Sequence, residues 1–187
     1  MSEKQLIDGC LNGDRRAQEA LYNLYSRKMM GVCLRYVSDR ETARDLLQDG
    51  FVKVFTSMHT YSGVSSFEAW VRMIFVNCAI EHLRKKDILR DAVDLESMVE
   101  LKDEETAVSR LEAESIMKLI QQLPSGYRAV FNLHAVEEYS HKEIGEILHI
   151  TESTSRSQYA RARQWLQEQI GRIYTSGRQR GNNDLKN

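Results

Sequence analysis

The sequence has very little of what disulfide-bonded, membrane-spanning or sheet proteins need. It contains one proline, Pro124, and three cysteines, none of which forms a C-x-x-C pair. No apolar run approaches the roughly 20 residues of a membrane span, and the alternation of polar and apolar residues that strands show is almost missing. The N-terminal segment lacks the apolar stretch of a signal peptide. These absences predict an all-α protein of the cytoplasm, with reduced cysteines.

Residues that could carry enzyme chemistry are scattered. None of the five histidines stands at metal-ligand spacing with a cysteine or an acidic residue. The sequence has no phosphate-binding glycine loop, no dinucleotide fingerprint and no nucleophile elbow. We therefore expect the protein not to be an enzyme and to need neither a cofactor nor a metal.

Charge is balanced overall but unevenly distributed. The formal net charge is -1, yet the segment 91–114 contains nine acidic and two basic residues. Basic residues cluster just before it, at Arg84, Lys85, Lys86 and Arg90, and again in the last third of the chain. Two basic segments around an acidic connector indicate two separate contacts with a polyanion.

Helical spacing of apolar residues dominates the first half of the chain. Asp14 and Asp39 stand where helices would be capped. Gly50 lies within the third predicted helix, where glycine costs roughly 1 kcal/mol relative to alanine. That cost is tolerable if another group packs closely against the glycine. The polar loop 59–66 then precedes a long helix that begins at Phe67.

The second half begins with a helix from residue 107 that Pro124 stops, because proline disfavours helix in the residue before it. Ser125 is expected to cap the next helix, which runs to Tyr139. Periodicity fades from Gly171 onward, so we predict a polar, frayed tail.

The stretch 139–163 predicts two helices joined by a tight turn. Ser140 and Glu143 match the S-x-x-E capping box of the first helix, and Thr151 or Ser153 can cap the second. Small hydroxyls at the start of an exposed helix, with arginines further along, suit the DNA major groove. Two amphipathic helices can also pack together with no DNA-binding role. The predicted inward face holds Ser155, Tyr159, Ala162 and Leu166, and the outward face holds Ser153, Arg156, Ser157, Arg161 and Gln164.

Three stretches of the chain carry distinctive motifs: ARDLLQDGFVKVF, FEAWVRMIFVNCAIEHLRKK and LPSGYRAVFNLHAVEEYSHKEIGEILHITESTSRSQYARAR. In their order and spacing they resemble the sigma-70 family of bacterial sigma factors, and in particular its short extracytoplasmic-function (ECF) group. The resemblance implies an all-α protein of two small helical domains. Sigma domain 2 would occupy residues 1–87, a flexible acidic linker 88–106, sigma domain 4 with its helix-turn-helix 107–175, and a polar tail 176–187.

The resemblance also implies partners and residue roles. The partners would be core RNA polymerase, promoter DNA and an anti-sigma factor. Polymerase contacts would come from Asp45, Gln48, Asp49 and Phe51. Contacts with the minus-10 element would come from Tyr61, Phe67, Trp70, Asn77, Arg84, Lys85 and Lys86. Contacts with the minus-35 element would come from Ser153, Thr154, Arg156, Ser157, Gln158 and Arg161.

Four positions depart from the family pattern. His149 stands in the turn where glycine is usual, and Ser155 stands at a normally apolar core position. Gln158 replaces a frequent arginine, and since glutamine pairs with adenine where arginine prefers guanine, we expect an atypical minus-35 preference. Gly50 stands where the family often has an acidic or bulky residue, which leaves the affinity for core polymerase open.

Two other functions fit parts of the sequence. One is a helix-turn-helix regulator that acts without core polymerase, with a first domain that binds a ligand or dimerises. The other is an adaptor that binds polymerase and no DNA.

Overall fold

The computed structural model describes residues 2–85 and 113–183, which belong to two compact units. Within those two ranges every regular element is helical, with eight α-helices and one 3-10 turn. The all-α prediction is therefore confirmed. The predicted acidic linker, 88–106, and the first residues of the predicted second domain, 107–112, lie outside the described residues.

The first unit has four α-helices and a 3-10 turn. The predicted caps are confirmed, since Asp14 accepts a hydrogen bond from the N–H of Arg16 and Asp39 accepts from the N–H groups of Glu41 and Thr42. Such side-chain caps satisfy N–H groups that have no partner within the helix. The helices are α1 (Glu3–Leu11), α2 (Arg15–Tyr36), α3 (Arg40–Ser57) and α4 (Phe67–Lys85), with the 3-10 turn at Met58–Thr60 between α3 and α4.

The core of this unit lies between α2, α3 and α4, which contact one another pairwise. Tyr36, Phe67 and Phe75 are its largest fully buried side chains. The ring of Phe75 lies against Gly50, where an added Cβ would be 2.2 Å from the ring atom Cε1. Close packing of α4 against α3 thus explains the glycine in the middle of α3. A close contact at Gly50 was the condition under which the sequence made a glycine there tolerable.

The three cysteines, Cys10, Cys33 and Cys78, are free and buried. Burial raises the pKa of Cys33 to about 12, so its thiol stays protonated near neutral pH. The interpretation of Cys33 and Cys78 as small buried hydrophobes is confirmed.

The second unit differs from its prediction at three helix ends. Pro124, and not Ser125, precedes the first residue of α6, because proline suits the start of a helix by its fixed φ. This helix ends at Ala135, and the chain turns through Glu138, whose φ is 63°, so that the N–H of Tyr139 bonds the carbonyl of Leu133. The helices are α5 (Ala113–Gln122), α6 (Ser125–Ala135), α7 (His141–Leu148) and α8 (Glu152–Asn183).

The last helix, α8, extends well past the predicted frayed end. Its apolar face continues beyond Leu166 with Ile170 and Ile173, which pack against the buried cluster around Leu119 and Leu123. This packing holds the helix past residue 166. Residues 176–183 of the predicted polar tail, 176–187, are helical.

A buried arginine joins α5 to α6. The side chain of Arg128 is 5% exposed, and its Nη1 donates to the carbonyl of Gln121 at 2.6 Å while Nη2 donates to Ser125 Oγ at 3.3 Å. Burial lowers the pKa of Arg128 to about 10, which leaves it charged at neutral pH. The guanidinium therefore binds a carbonyl at the C-terminal end of α5, where helices lack internal partners.

Candidate functional site

The outer side of α3 carries a mixed polar and apolar surface. Asp45, Gln48 and Asp49 are exposed there, as three of the four predicted polymerase contacts require. Val52 is 57% exposed and falls on the same side at the helical repeat. We call Asp45, Gln48, Asp49 and Val52 the α3 surface. The sequence analysis missed Val52, although its spacing of three and four from Asp49 and Gln48 was a usable signal.

Phe51, the fourth predicted contact, lies in the core. It is 3% exposed, with its ring centroid 4.7 Å from that of Tyr22 and 5.2 Å from that of Phe75. In this position the ring packs α3 against α2 and α4 and presents no face to a partner. Its contribution to the α3 surface is to hold the helix in place.

Three aromatic side chains of the predicted minus-10 set form one cluster. The ring centroid of Tyr61 is 5.2 Å from that of Phe67 and 5.6 Å from that of Trp70, and Phe67 and Trp70 are 5.6 Å apart. Phe67 is fully buried, whereas Tyr61 and Trp70 are half-buried. Only Tyr61 and Trp70 can therefore offer part of a ring to a base, and Phe67 supports them from below.

The loop before α4 is braced by Tyr61, whose hydroxyl donates to the carbonyl of Ser65 at 2.8 Å. Gly63 has φ of 76°, a conformation that favours glycine. Val64, at the tip, is 92% exposed. The loop thus holds an apolar side chain in solvent next to the aromatic cluster, which the sequence analysis did not single out.

The remaining predicted minus-10 residues lie along α4. Trp70, Asn77 and Arg84 are seven residues apart, which is close to two helical turns, so they follow one side of the helix. Asn77, Arg84 and Lys85 are exposed. Lys86 lies outside the described residues.

A three-residue charge network links the outer sides of α3 and α4. Glu81 binds Lys53 Nζ at 2.7 Å and Lys85 Nζ at 3.3 Å through its two carboxylate oxygens. Hydrogen bonds from both lysines lower the pKa of Glu81. Lys85, a predicted minus-10 contact, therefore shares its charge with Glu81. The side chains are about half exposed or more, so the network adds little stability.

The two helices that the stretch 139–163 predicted are α7 and α8. The capping box is confirmed: Ser140 Oγ accepts from the N–H of Glu143 at 3.3 Å, and the N–H of Ser140 donates to Glu143 Oε2 at 2.8 Å. At the start of α8 the N–H of Thr154 donates to Thr151 Oγ1 at 3.0 Å. Of the two caps left open by the sequence, Thr151 is the one used.

The turn between the helices explains the missing glycine. His149 has φ of 56°, in the left-handed region, and its N–H donates to the carbonyl of Gly145. Histidine is one of the residues that tolerate this conformation best after glycine. The glycine that the motif does need is Gly145, where an added Cβ would be 2.9 Å from the carbonyl oxygen of Ile150. The sequence analysis missed that role.

The serine at the normally apolar position is satisfied by a histidine. Ser155 is fully buried, and its hydroxyl is 3.0 Å from Nδ1 of His141. The ring of His141 stacks on that of His134 with centroids 4.2 Å apart, and Tyr159 packs edge-on against His134 at 4.5 Å. Burial, His134 and Arg156 lower the pKa of His141, which favours its neutral form. We call Ser155, His141, His134 and Tyr159 the imidazole cluster.

The burial of residues on the inward and outward faces of α8 largely follows the prediction. Ser155, Ala162 and Leu166 are buried as expected, and Tyr159 is half-buried. Of the predicted minus-35 residues, Thr154 and Gln158 are half-buried, and the exposed ones are Ser153, Arg156, Ser157 and Arg161.

No cluster of three histidine, cysteine or acidic side chains in the described ranges could hold a metal ion. None of the helices described is both long and apolar enough to cross a membrane.

The α7–α8 pair defines a helix-turn-helix, the class of DNA-binding element that inserts its second helix into the major groove. The family models described as "Sigma-70 region 2" and "Sigma-70, region 4" match residues 21–88 and 113–166 respectively. The chain belongs to the sigma-70 family of RNA polymerase sigma factors, within the ECF group.

Sequence relatives agree with this family, and a solved structure shares the fold. The chain is 29% identical to the RNA polymerase sigma-H factor of Pseudomonas aeruginosa, over 90% of this chain and 93% of that protein. It is 28% identical to the ECF RNA polymerase sigma-E factor of Haemophilus influenzae, over 91% of this chain and 96% of that one. In fold it resembles the sigma factor RpoE bound to the anti-sigma factor NepR from Bartonella quintana, with a TM-score of 0.51, 20% identity and coverage of 82% and 96%.

Proposed function

We propose that this chain is a transcription initiation factor that binds core RNA polymerase and directs it to promoter minus-10 and minus-35 DNA. The observation that carries the proposal is that the two units carry different sigma-70 regions. The matches to sigma-70 region 2 and region 4 fall on separate compact units. Each unit exposes its own surface of suitable chemistry. A pair of tethered sites engages one promoter far better than either site alone, because the second contact becomes intramolecular.

The α3 surface is the proposed contact with core polymerase. Asp45, Gln48 and Asp49 offer carboxylate and amide groups to a basic or amide-rich partner, and Val52 supplies an apolar centre. Protein interfaces commonly have an apolar centre surrounded by a polar rim. Phe51 supports the surface from the core.

The proposed minus-10 contact is the aromatic cluster together with the exposed side of α4. Opening a base pair and unstacking a base costs a few kcal/mol. Stacking on the accessible parts of Tyr61 and Trp70 and contacts from Asn77, Arg84 and Lys85 would offset it. Phe67 acts as support, and Lys86 adds positive charge on sequence grounds.

The proposed minus-35 contact is the outward face of α8. Ser153, Ser157 and Arg156 would reach the groove, and Arg161 would approach the backbone. Thr154 and Gln158 lie at the rim of this face, where Gln158 can pair with adenine. This set predicts a minus-35 preference that differs from that of relatives with arginine at position 158.

We further propose that an anti-sigma factor controls this chain and that the protein acts in the cytoplasm, not as an enzyme. The support is family membership together with the proposed contact surfaces, since a protein that covered the α3 surface would block polymerase binding and one that covered the outward face of α8 would block minus-35 binding.

The proposal is tested by co-elution of the full chain with bacterial core polymerase, followed by run-off transcription on a promoter library. Co-elution with sequence-selective transcripts is expected. The charge reversals Asp45→Lys and Asp49→Lys together should abolish co-elution. The matched control is Asp8→Lys with Glu19→Lys, which makes the same change in charge at two exposed positions of the same unit.

Two outcomes would contradict the proposal. DNA binding without any polymerase association would favour the helix-turn-helix regulator. Polymerase binding with transcription unaffected by Arg156→Ala and Arg161→Ala would favour the adaptor.

A further inference from the structure

The first turn of α8 contains an ion pair that the DNA-binding prediction did not include. Glu152, the first residue of the helix, accepts two hydrogen bonds from Arg156 on its Oε1, one from Nε at 3.1 Å and one from Nη2 at 2.5 Å. The two residues are four apart and so lie on one side of the helix. Their side chains are 46% and 64% exposed, on the face that the DNA would cover.

This geometry divides the donors of Arg156. A guanidinium has five N–H groups in a planar fork. Glu152 takes the N–H of Nε and one N–H of Nη2, which is one edge of that fork. The edge formed by Nη1 and the second N–H of Nη2 remains directed away from Glu152. Two parallel donors on that edge match the O6 and N7 acceptors of guanine in the major groove.

The pair also separates base reading from phosphate binding. A carboxylate beside a guanidinium repels backbone phosphates and cancels the positive charge that they attract. In free protein an exposed pair of this type adds only about 0–1 kcal/mol. Within a DNA groove, where water is displaced, the same pair is stronger because the effective dielectric constant is lower.

We propose that Glu152 is a positioning residue that fixes the guanidinium of Arg156 as a guanine reader in the minus-35 element. The inference rests on the proposed function, because it places α8 in the minus-35 major groove. In this role the acidic side chain at the start of α8 determines, by its hydrogen bonds, which edge of the arginine faces the bases.

The test is selection of minus-35 sequences from a randomised library by the wild type and by four variants: Arg156→Ala, Glu152→Gln, Glu152→Ala and the double variant Glu152→Ala with Arg156→Ala. Selection is run in two ways, as run-off transcription with core polymerase and as direct capture of duplexes by the full chain alone. The matched control is Glu168→Gln, since Glu168 is also an exposed glutamate of α8 that bonds a residue four positions away, Gln164.

The expected result is one base position at which wild type prefers guanine. Arg156→Ala should reduce that preference roughly tenfold or more. Glu152→Gln and Glu152→Ala should reduce it at the same position by a smaller factor, with preferences elsewhere unchanged. The double variant should match Arg156→Ala at that position, because removal of Glu152 has no effect once its partner is gone. Glu168→Gln should leave all preferences intact.

Three results would overturn the inference. A uniform loss of affinity for all sequences in Arg156→Ala, with a shallower salt dependence, would make Arg156 a phosphate contact. A cytosine preference lost in Glu152→Gln but kept in Arg156→Ala would make Glu152 a direct reader. A uniform gain in affinity in Glu152→Gln, with base preferences unchanged, would reduce Glu152 to a repulsive charge.

The two ways of selection separate this inference from the function on which it rests. Sequence-selective capture by the chain alone, with no polymerase-dependent transcript, would overturn the proposed function and still report on the pair. A chain that selects no sequence in either setting would overturn both.

Discussion

The two units differ in how their cores are built. Among the described residues, the polar or charged side chains that are buried all belong to the second unit. The first unit has an apolar and aromatic interior in which the ring of Phe75 lies against Gly50. The stability of the apolar core in the first unit depends on side-chain volume. The stability of the core in the second unit, with its buried polar groups, also depends on single hydrogen bonds and on protonation. The buried polar residues are Arg128, Asn132, Ser155 and Gln169.

The largest expected effect on stability comes from added side-chain volume in the core of the first unit. Gly50→Val would drive its side chain into the ring of Phe75, and we expect a loss of about 3 kcal/mol in the free energy of unfolding. Urea unfolding followed by the fluorescence of Trp70, in a Trp165→Phe background, reports this unit alone.

The control for that substitution is Gly31→Ala on α2, where an added Cβ has no atom within 4 Å. It should stabilise the unit by about 0.5–1 kcal/mol, since alanine favours the helix. An unchanged stability in Gly50→Val would mean that α3 and α4 can separate at no cost.

The next effect concerns a hydrogen bond in the second unit. Arg128→Ala removes the donors to Gln121 and Ser125 and leaves a cavity, so we expect a loss of about 2–3 kcal/mol. The measurement is urea unfolding followed by Trp165 fluorescence in a Trp70→Phe background.

The matched variant Arg128→Met keeps most of the volume but also lacks the two donors, so it should still cost about 1.5–2 kcal/mol. A loss close to zero in Arg128→Met would show that packing, and not hydrogen bonding, accounts for the contribution of Arg128.

A smaller effect is expected from pH. The folded pKa of His141 lies below its ordinary value of 6.5, so the unfolded chain holds the proton more tightly than the folded one. Stability of the second unit should therefore be complete above pH 6.5 and fall as the pH drops below it. Thermal unfolding between pH 7.5 and 5 should show this with the Trp165 probe.

Removal of the imidazole, in His141→Gln, should flatten that profile relative to wild type. The groups that face His141 are His134 from α6 and Ser155, Arg156, Glu152 and Tyr159 from α8. A profile that persists in His141→Gln would show that His141 is not its source.

The smallest effect on stability is expected at the α3 surface. Val52→Ala removes an exposed side chain and should change the free energy of unfolding by less than about 0.5 kcal/mol. Its affinity for core polymerase should nevertheless fall about fivefold if Val52 is the apolar centre of the contact.

Val64→Ala, which truncates an exposed valine elsewhere in the same unit, is the control, and in the absence of DNA it should leave polymerase binding unchanged. Equal affinities for Val52→Ala and wild type would limit the α3 surface to its polar members.

Local signals made much of the fold predictable. The caps at Asp14, Asp39 and Ser140 are confirmed because a cap depends on residues within three positions of one another. The end of α8 was missed although Ile170 and Ile173 continue the apolar spacing of Leu166.

Contacts across space were harder to predict. Phe51 sits at the spacing of Leu47 and Val54, which indicates the core, but family resemblance placed it at a surface. The bond between Ser155 and His141 joins residues of two helices, so no pattern within either helix predicts it. Ser155 therefore had no explanation from the sequence. The role of Gly145 was not predicted either, because it depends on a contact with the backbone of the turn.

The contact at Gly50 also has a mechanical consequence. Because the ring of Phe75 on α4 lies directly against the backbone of Gly50 on α3, little compressible material separates the two helices there. The α3 surface and the Tyr61–Trp70 aromatics are then parts of one stiff body, and a displacement imposed on one is passed to the other almost undiminished. A protein seated on α3 would thereby also fix the position of the aromatics.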